Sequence, residues 1–247
     1  AYPWLVRTFE YPEKTVKLHF FIVRAWVGNP EGREGQQLSW QRPERLTVEP
    51  MLPANMPILN ALKLPPIYAI TNAYEMGEEF FFDSLKQQLD SGLKLIQVRE
   101  KHLAADALLA FSKKVVRMAH PYGAKVLING TVDLAKAAEA DGVHLNSVAL
   151  AEMKSKPDNM LVAASCHHSQ DLAKAEDLQL DFVLLSPVLP TASHPDMLTL
   201  GWESFAALKH DYSLPVYALG GLKPAHLNQA WLASAHGIAT QRAVWEA

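Results

Sequence analysis

From residue 67 onward, short apolar runs alternate with amphipathic stretches. The runs are Ile67–Thr71, Leu95–Glu100, Lys125–Asn129, Gly142–Asn146, Leu161–Cys166, Phe182–Val188, Val216–Gly221 and Gly237–Gln241. Brief, nearly continuous runs of this kind read as strands covered on both faces, as in a parallel sheet. Glu79–Ser91, Ala104–His120 and Asp171–Gln179 instead repeat their apolar residues at helical spacing. Eight strands alternating with helices predict an α/β fold, and eight is the number that closes a (β/α)8 TIM barrel. A doubly wound open sheet is the alternative.

The leading residues have another pattern. Val16–Trp26 mixes alternation with β-branched and aromatic residues and predicts a strand within a strand–strand–loop–helix order. Gly28–Gln37 reads as a loop, Leu38–Trp40 as a further short strand, and Pro57–Lys63 as a helix with proline in its first turn. Nine of the 16 prolines lie within residues 1–66, and Pro65-Pro66 cannot continue a helix. The shift predicts two units, 1–64 and 65–247, the first too small to fold well by itself.

Composition narrows the classes. The chain has 247 residues, 49% hydrophobic and 20% charged, with a net charge of −3. It can bury a core, and it carries no basic footprint for a nucleic-acid polymer. One cysteine, Cys166, precludes an internal disulfide framework. No apolar run reaches the roughly 18 residues of a membrane span.

A barrel places its chemistry at the C-terminal ends of its strands. Gln97, Arg99 and Lys101 alternate there, so one face carries an amide and two cations suited to an anion. Gly220-Gly221 after the seventh strand lets backbone amides approach a phosphate. Asn129, Ser165, His167, Thr191, Ser193, Gln241 and Arg242 complete the set of strand ends. The alternative is a solvated strand end, with an ion pair through Glu100. Cys166 alternates with Ser165 and His167 and is expected in the barrel wall as a core thiol.

Taken in order, Ile67-Tyr-Ala-Ile-Thr71, Gln97-Val-Arg-Glu-Lys101, Asp141-Gly-Val-His-Leu145, Ser165-Cys-His167, Ser186-Pro-Val-Leu-Pro-Thr191 and Gly220-Gly221 resemble the thiamine phosphate synthase and TenI family of barrels. The resemblance spans residues 65–247. It implies a cytoplasmic protein that binds small phosphorylated ligands, a pyrimidine diphosphate or a thiazole phosphate. The synthase joins the two with Mg²⁺ and releases pyrophosphate. Its two metal carboxylates fall at Gly130 and Ala149 here, and its strand-six-loop lysine at His194. The resemblance therefore makes synthase chemistry doubtful and leaves phosphate binding in place. TenI-type members tautomerise a thiazole carboxylate phosphate with a histidine that matches His167. A packed histidine in a barrel that only binds, or only scaffolds, is the other reading.

Phe9-Glu-Tyr-Pro12, Val16–Trp26, Gly32-Arg-Glu34-Gly-Gln36, Trp40 and Leu52-Pro-Ala-Asn55 resemble the C-terminal half of a MutT-type Nudix hydrolase. That resemblance implies a partial α/β/α fold ahead of the barrel, in a parent that cleaves 8-oxo-dGTP with Mg²⁺ for nucleotide-pool sanitation and DNA repair. Glu34 would be a metal ligand or catalytic carboxylate, Asn55 would read the purine edge, and Lys14 would lie near the base pocket. The Nudix box is expected before residue 1, so this chain is expected not to hydrolyse nucleotides. A half-domain with unpaired strands is expected to self-associate, giving a possible homo-oligomer. The plainer readings are a solvated Glu34 and an Asn55 that caps the following helix.

Overall fold

The computed structural model describes residues 1–191 and 198–246. Its strands are β1 (Tyr2–Tyr11), β2 (Lys14–Ile22), β3 (Ile67–Ile70), β4 (Leu95–Val98), β5 (Lys125–Asn129), β6 (Gly142–Leu145), β7 (Leu161–Cys166), β8 (Phe182–Leu185), β9 (Val216–Ala218) and β10 (Gly237–Thr240). The helices are α1 (Met56–Leu62), α2 (Ala73–Met76), α3 (Glu78–Asp90), α4 (Ala105–Ala119), α5 (Val132–Ala137), α6 (Ser147–Glu152), α7 (Ser169–Asp177), α8 (Gly201–Lys209) and α9 (Leu227–Leu232).

Strands β3 to β10 pair in parallel and close, β10 bonding to β3. All eight expected barrel strands form, and the open-sheet alternative falls with closure. Successive side chains point to opposite faces of a strand. Tyr68, Ile70, Leu95, Leu127, Ala163, Phe182, Leu184, Tyr217 and Ala239 therefore fill the barrel interior. Their chain neighbours Ala69, Ile96, Val126, Val162 and Val183 pack outward against the helices. Cys166 belongs to this outer layer, and burial raises its thiol pKa well above the ordinary value.

Carboxylates pin two strand starts at the opposite end. Asp141 accepts the Val126 N–H at 2.9 Å and Asp181 accepts the Val162 N–H at 2.7 Å. Two short helices begin on their own caps. Thr131 accepts the Leu134 N–H before α5, and Asn146 accepts the Ala149 N–H before α6.

β1 and β2 form an antiparallel hairpin with a register shift between Pro3 and Val6. A proline has no N–H to give a ladder and is tolerated at such irregularities. The hairpin does not stand free. Trp4 and Leu5 form a small core with Ile58 and Ala61 of α1. Trp4 Nε1 donates to His236 Nδ1 at 3.1 Å, and Tyr2 donates its hydroxyl to Asn228 at 2.6 Å. The Arg24 guanidinium lies 3.5 Å over the Trp231 ring. Full burial of a Leu-sized side chain is worth about 1.5–3 kcal/mol, so these contacts can seat the hairpin against the barrel.

Three expectations for this segment need correction. Leu38–Trp40 forms no strand, because both large side chains are exposed and no partner strand lies beside them. The strand expected through Trp26 ends at Ile22, where its pairing with Tyr2 ends. Asn55 precedes α1, but its side chain makes no capping hydrogen bond, since its backbone is already helical there.

Candidate functional site

The mouth of the barrel encloses a cavity of about 610 Å³. Strand ends supply its wall. Gln97, Arg99 and Lys101 come from β4 and its extension, Asn129 from β5, Ser165 and His167 from β7 and beyond. The loops after β8, β9 and β10 add Thr191, Gly220, Gly221, Gln241 and Arg242. Ser193 and His194 lie outside the described residues. Sequence reasoning did not single out Asn146, Ser147, Lys223 or Thr240, which also face the cavity. The position of Asn146 and Thr240 at strand ends was the available signal.

Arg99 and Lys101 stand together outside salt-bridge reach of any described carboxylate. Among the described residues no carboxylate lies within 4.0 Å of either. Arg99 is half-buried, and burial lowers its pKa against the raising effect of Glu100. Arg99 in turn lowers the pKa of the exposed Lys101, with a smaller contribution from burial. The expected ion pair of Glu100 with Arg99 or Lys101 is not made; its ion-pair contact is His102 Nδ1 at 3.6 Å. Buried Glu100 turns away and accepts the N–H groups of Ala73 and Tyr74 at 2.9 and 3.3 Å, at the start of α2. A carboxylate at a helix start is well placed there.

Arg242 is engaged elsewhere. Its Nε donates to Glu75 Oε2 at 2.7 Å, and its Nη2 also meets the Glu75 carboxylate. Gln241 donates to Asn72 at 3.2 Å. These bonds tie the loop after β10 to the loop after β3.

His167 is exposed, and its Nδ1 lies 2.9 Å from the Ser186 carbonyl oxygen. A carbonyl accepts only, so Nδ1 carries the hydrogen and the neutral ring keeps a lone pair on Nε2. The His167 backbone N–H donates to Asp171 at 2.8 Å, which fixes the residue at the start of α7.

Gly220 and Gly221 meet the facing loop at van der Waals limits. Gly220 has φ +108°, and a Cβ on it would stand 2.9 Å from the Pro187 Cα. Gly221 has φ +63°, and a Cβ there would stand 2.3 Å from the Pro190 carbonyl oxygen. Only glycine combines that backbone with that clearance.

The cavity wall does not suit a resident Mg²⁺. Its polar side chains are mostly amides and hydroxyls, Glu246 is its one carboxylate among the described residues, and positions 130 and 149 hold Gly and Ala. Mg²⁺ in such sites is held through one or two carboxylates, and Arg99 and Lys101 would repel it.

The residues of the leading segment lie apart from this cavity. Glu34 is exposed in a turn where its N–H bonds to Gln36. Lys14 opens β2 and is exposed, and Asn55 is half-buried ahead of α1. Among the described residues, no three His, Cys, Asp or Glu side chains gather in a way that could hold a metal. No described helix is long and apolar enough to cross a membrane.

The thiamine monophosphate synthase family model (TMP-TENI) matches residues 67–244. A putative thiamine-phosphate synthase 2 of Aquifex aeolicus is 36% identical over 180 residues, 72% of this chain and 96% of that protein. A putative thiamine-phosphate synthase of Geobacter sulfurreducens is 34% identical over 182 residues, covering 72% and 85%. The solved thiamine phosphate pyrophosphorylase of Pyrococcus furiosus superposes with a TM-score of 0.62 at 26% identity, covering 73% of this chain and 87% of that one. The family match leaves residues 1–66 outside it. Through its closed barrel and mouth, this chain belongs to the thiamine monophosphate synthase family.

Proposed function

We propose that the barrel mouth binds a phosphorylated thiamine precursor, a thiazole phosphate or a pyrimidine phosphate. The phosphate sits on Arg99 and Lys101, with the Gly220-Gly221 turn closing over it. Gln97, Asn129 and Ser165 face the ring, and Thr191, Gln241 and Arg242 border the site. The adjacent Arg99 and Lys101, neither in salt-bridge contact with a described carboxylate, carry this reading. Each raises the electrostatic energy of the other, and an anion between them relieves both. Calorimetry with hydroxyethylthiazole phosphate and its dephosphorylated alcohol tests it. The phosphate form should bind at least roughly tenfold tighter, and Arg99→Ala should remove most of that difference. Equal binding of the two forms would sink the reading.

The hydrogen bond from His167 to the Ser186 carbonyl favours one catalytic version. In it, His167 Nε2 takes a proton from a thiazole carboxylate phosphate and returns it to another atom of the ring, which is a tautomerisation. His167→Ala should then bind the phosphate normally and turn over nothing. Binding by the parent protein without turnover of the tautomer would leave a binding or scaffold barrel.

We read residues 1–64 as a unit distinct from 65–247, related to a MutT-type Nudix hydrolase in a longer parent. The exposed Phe21, Val23, Trp26, Val27, Leu38 and Trp40 support the reading, as a face shaped for further protein. Glu34, Asn55 and Lys14 keep the roles that the resemblance gives them, with Mg²⁺ needing further carboxylates. The test is Mg²⁺-dependent hydrolysis of 8-oxo-dGTP by the full-length parent, and its loss in Glu34→Gln.

A further inference from the structure

Below the mouth, four barrel strands send polar side chains into one buried chain of hydrogen bonds. β4 supplies Gln97, β3 Tyr68, β6 His144 and β7 Ser165. Gln97 Nε2 donates to the Tyr68 oxygen at 3.2 Å. That oxygen lies 3.3 Å from His144 Nδ1, and His144 Nε2 lies 3.0 Å from Ser165 Oγ. Tyr68, Gln97 and His144 are almost wholly shielded from solvent, while Ser165 and Gln97 reach the cavity.

Such a chain has a direction. The Tyr68 oxygen receives the Gln97 hydrogen, so its own hydrogen goes to His144 Nδ1. A neutral imidazole then carries its hydrogen on Nε2 and gives it to Ser165 Oγ. The serine hydrogen has no acceptor left within the chain. Ionisation cannot reverse the order near neutral pH. Burial first, and the Arg99 charge second, push the His144 pKa down to about 3, and burial raises that of Tyr68. The opposite direction would set Tyr68 donating to Gln97 Nε2, which cannot accept, and would require that amide to turn over.

We propose that Tyr68 and His144 are positioning residues that polarise Ser165, so that its hydroxyl hydrogen points into the cavity and selects a ligand atom that accepts a hydrogen bond. An unprotonated ring nitrogen or a phosphate oxygen meets that requirement. A ring N–H or an ammonium does not. This rests on the reading that a phosphorylated heteroaromatic precursor occupies the mouth.

The direction is measurable without any ligand. Long-range ¹H–¹⁵N NMR of the ¹⁵N-labelled protein at pH 7 reads each imidazole tautomer, and His144→Gln assigns the signals. The Nε2–H tautomer is expected for His144. The Nδ1–H tautomer, or an imidazolium, would overturn the proposal. Calorimetry with hydroxyethylthiazole phosphate reads the consequence. Tyr68→Phe should weaken binding roughly threefold to tenfold in the parent protein and have no effect in a Ser165→Ala background. An equal loss in both backgrounds would make Tyr68 merely structural and overturn the polarising role. Should Tyr68→Phe not fold, Ser165→Cys takes its place. It keeps a weak donor and should bind between the parent and Ser165→Ala, whereas binding no better than Ser165→Ala would overturn the donor role. Loss of all phosphate binding in the parent would sink the functional reading, while the tautomer would still decide the direction of the chain.

Discussion

The barrel and the leading segment are built from chain of similar polarity, yet they bury it very differently. In the barrel, closure gives every strand two neighbours and two covered faces, and Phe182, Tyr217 and Leu95 reach full burial. In the leading segment a two-stranded hairpin has two open edges and one partly covered face. It buries Trp4 and Leu5 but leaves Phe21, Trp26, Val27 and Trp40 largely in solvent. Cyclic pairing, more than hydrophobic content, separates the region with a closed core from the one that packs against it.

The contrast can be broken first in the barrel. Phe182 packs edge-on to Tyr68 and Tyr217 in the closed interior. Phe182→Ala should cost about 3–5 kcal/mol, read as a lower urea midpoint for the whole barrel. A smaller loss would mean that the interior repacks.

Acid acts on both regions. His144 inside the barrel and His236 beneath the hairpin are held neutral mainly by burial, with pKa values of about 3 and about 4. The unfolded chain takes up protons below about pH 6.5, and the folded chain does not. Their contribution is thus complete above that pH and shrinks as the pH falls toward 4 and then 3. The loss should amount to a few kcal/mol, measured by urea melts at pH 7.5, 6 and 5. A flat profile would show that both rings are reached by water.

Trp4→Ala sharpens the comparison. It removes the hairpin's anchor and the donor to His236, so amide exchange across Tyr2–Tyr11 should accelerate at least roughly tenfold. Exchange in β4 to β8 should not change. If the barrel amides accelerate equally, the two regions unfold as one.

Trp26→Ser with Trp40→Ser gives the smallest effect on folding. The two rings stack at 5.6 Å but remain exposed. Stability should change by no more than about 0.5 kcal/mol, while self-association measured by sedimentation should fall. Unchanged sedimentation would remove this face as a cause of association.

The sequence exposed the barrel more readily than the hairpin. Phe182-Val-Leu-Leu185 and Val126-Leu-Ile128 read as strands because both faces are covered, and no alternation was needed to see them. Leu38-Ser-Trp40 misled because β-forming side chains do not make a strand without a partner. The mouth could be assembled from strand ends because barrel geometry sends alternate residues inward, as for Gln97 and Arg99. Partnerships across the fold were not legible. Glu100 bonds to the start of α2 at Ala73, and Arg242 pairs with Glu75 across 167 residues. The contact between Tyr68 and His144 joins strands that are not neighbours in the sheet.

The tight meeting of Gly220 and Gly221 with Pro187 and Pro190 also bears on how this protein can change over generations. A side chain at either position meets the opposing loop, and each glycine also carries a positive φ that no retreat of that loop relieves. Two independent constraints therefore hold this turn. A single-substitution scan should find that wall of the cavity nearly immutable, and paired replacements drawn from both loops should restore little, so that new ligand preferences arise elsewhere on the rim.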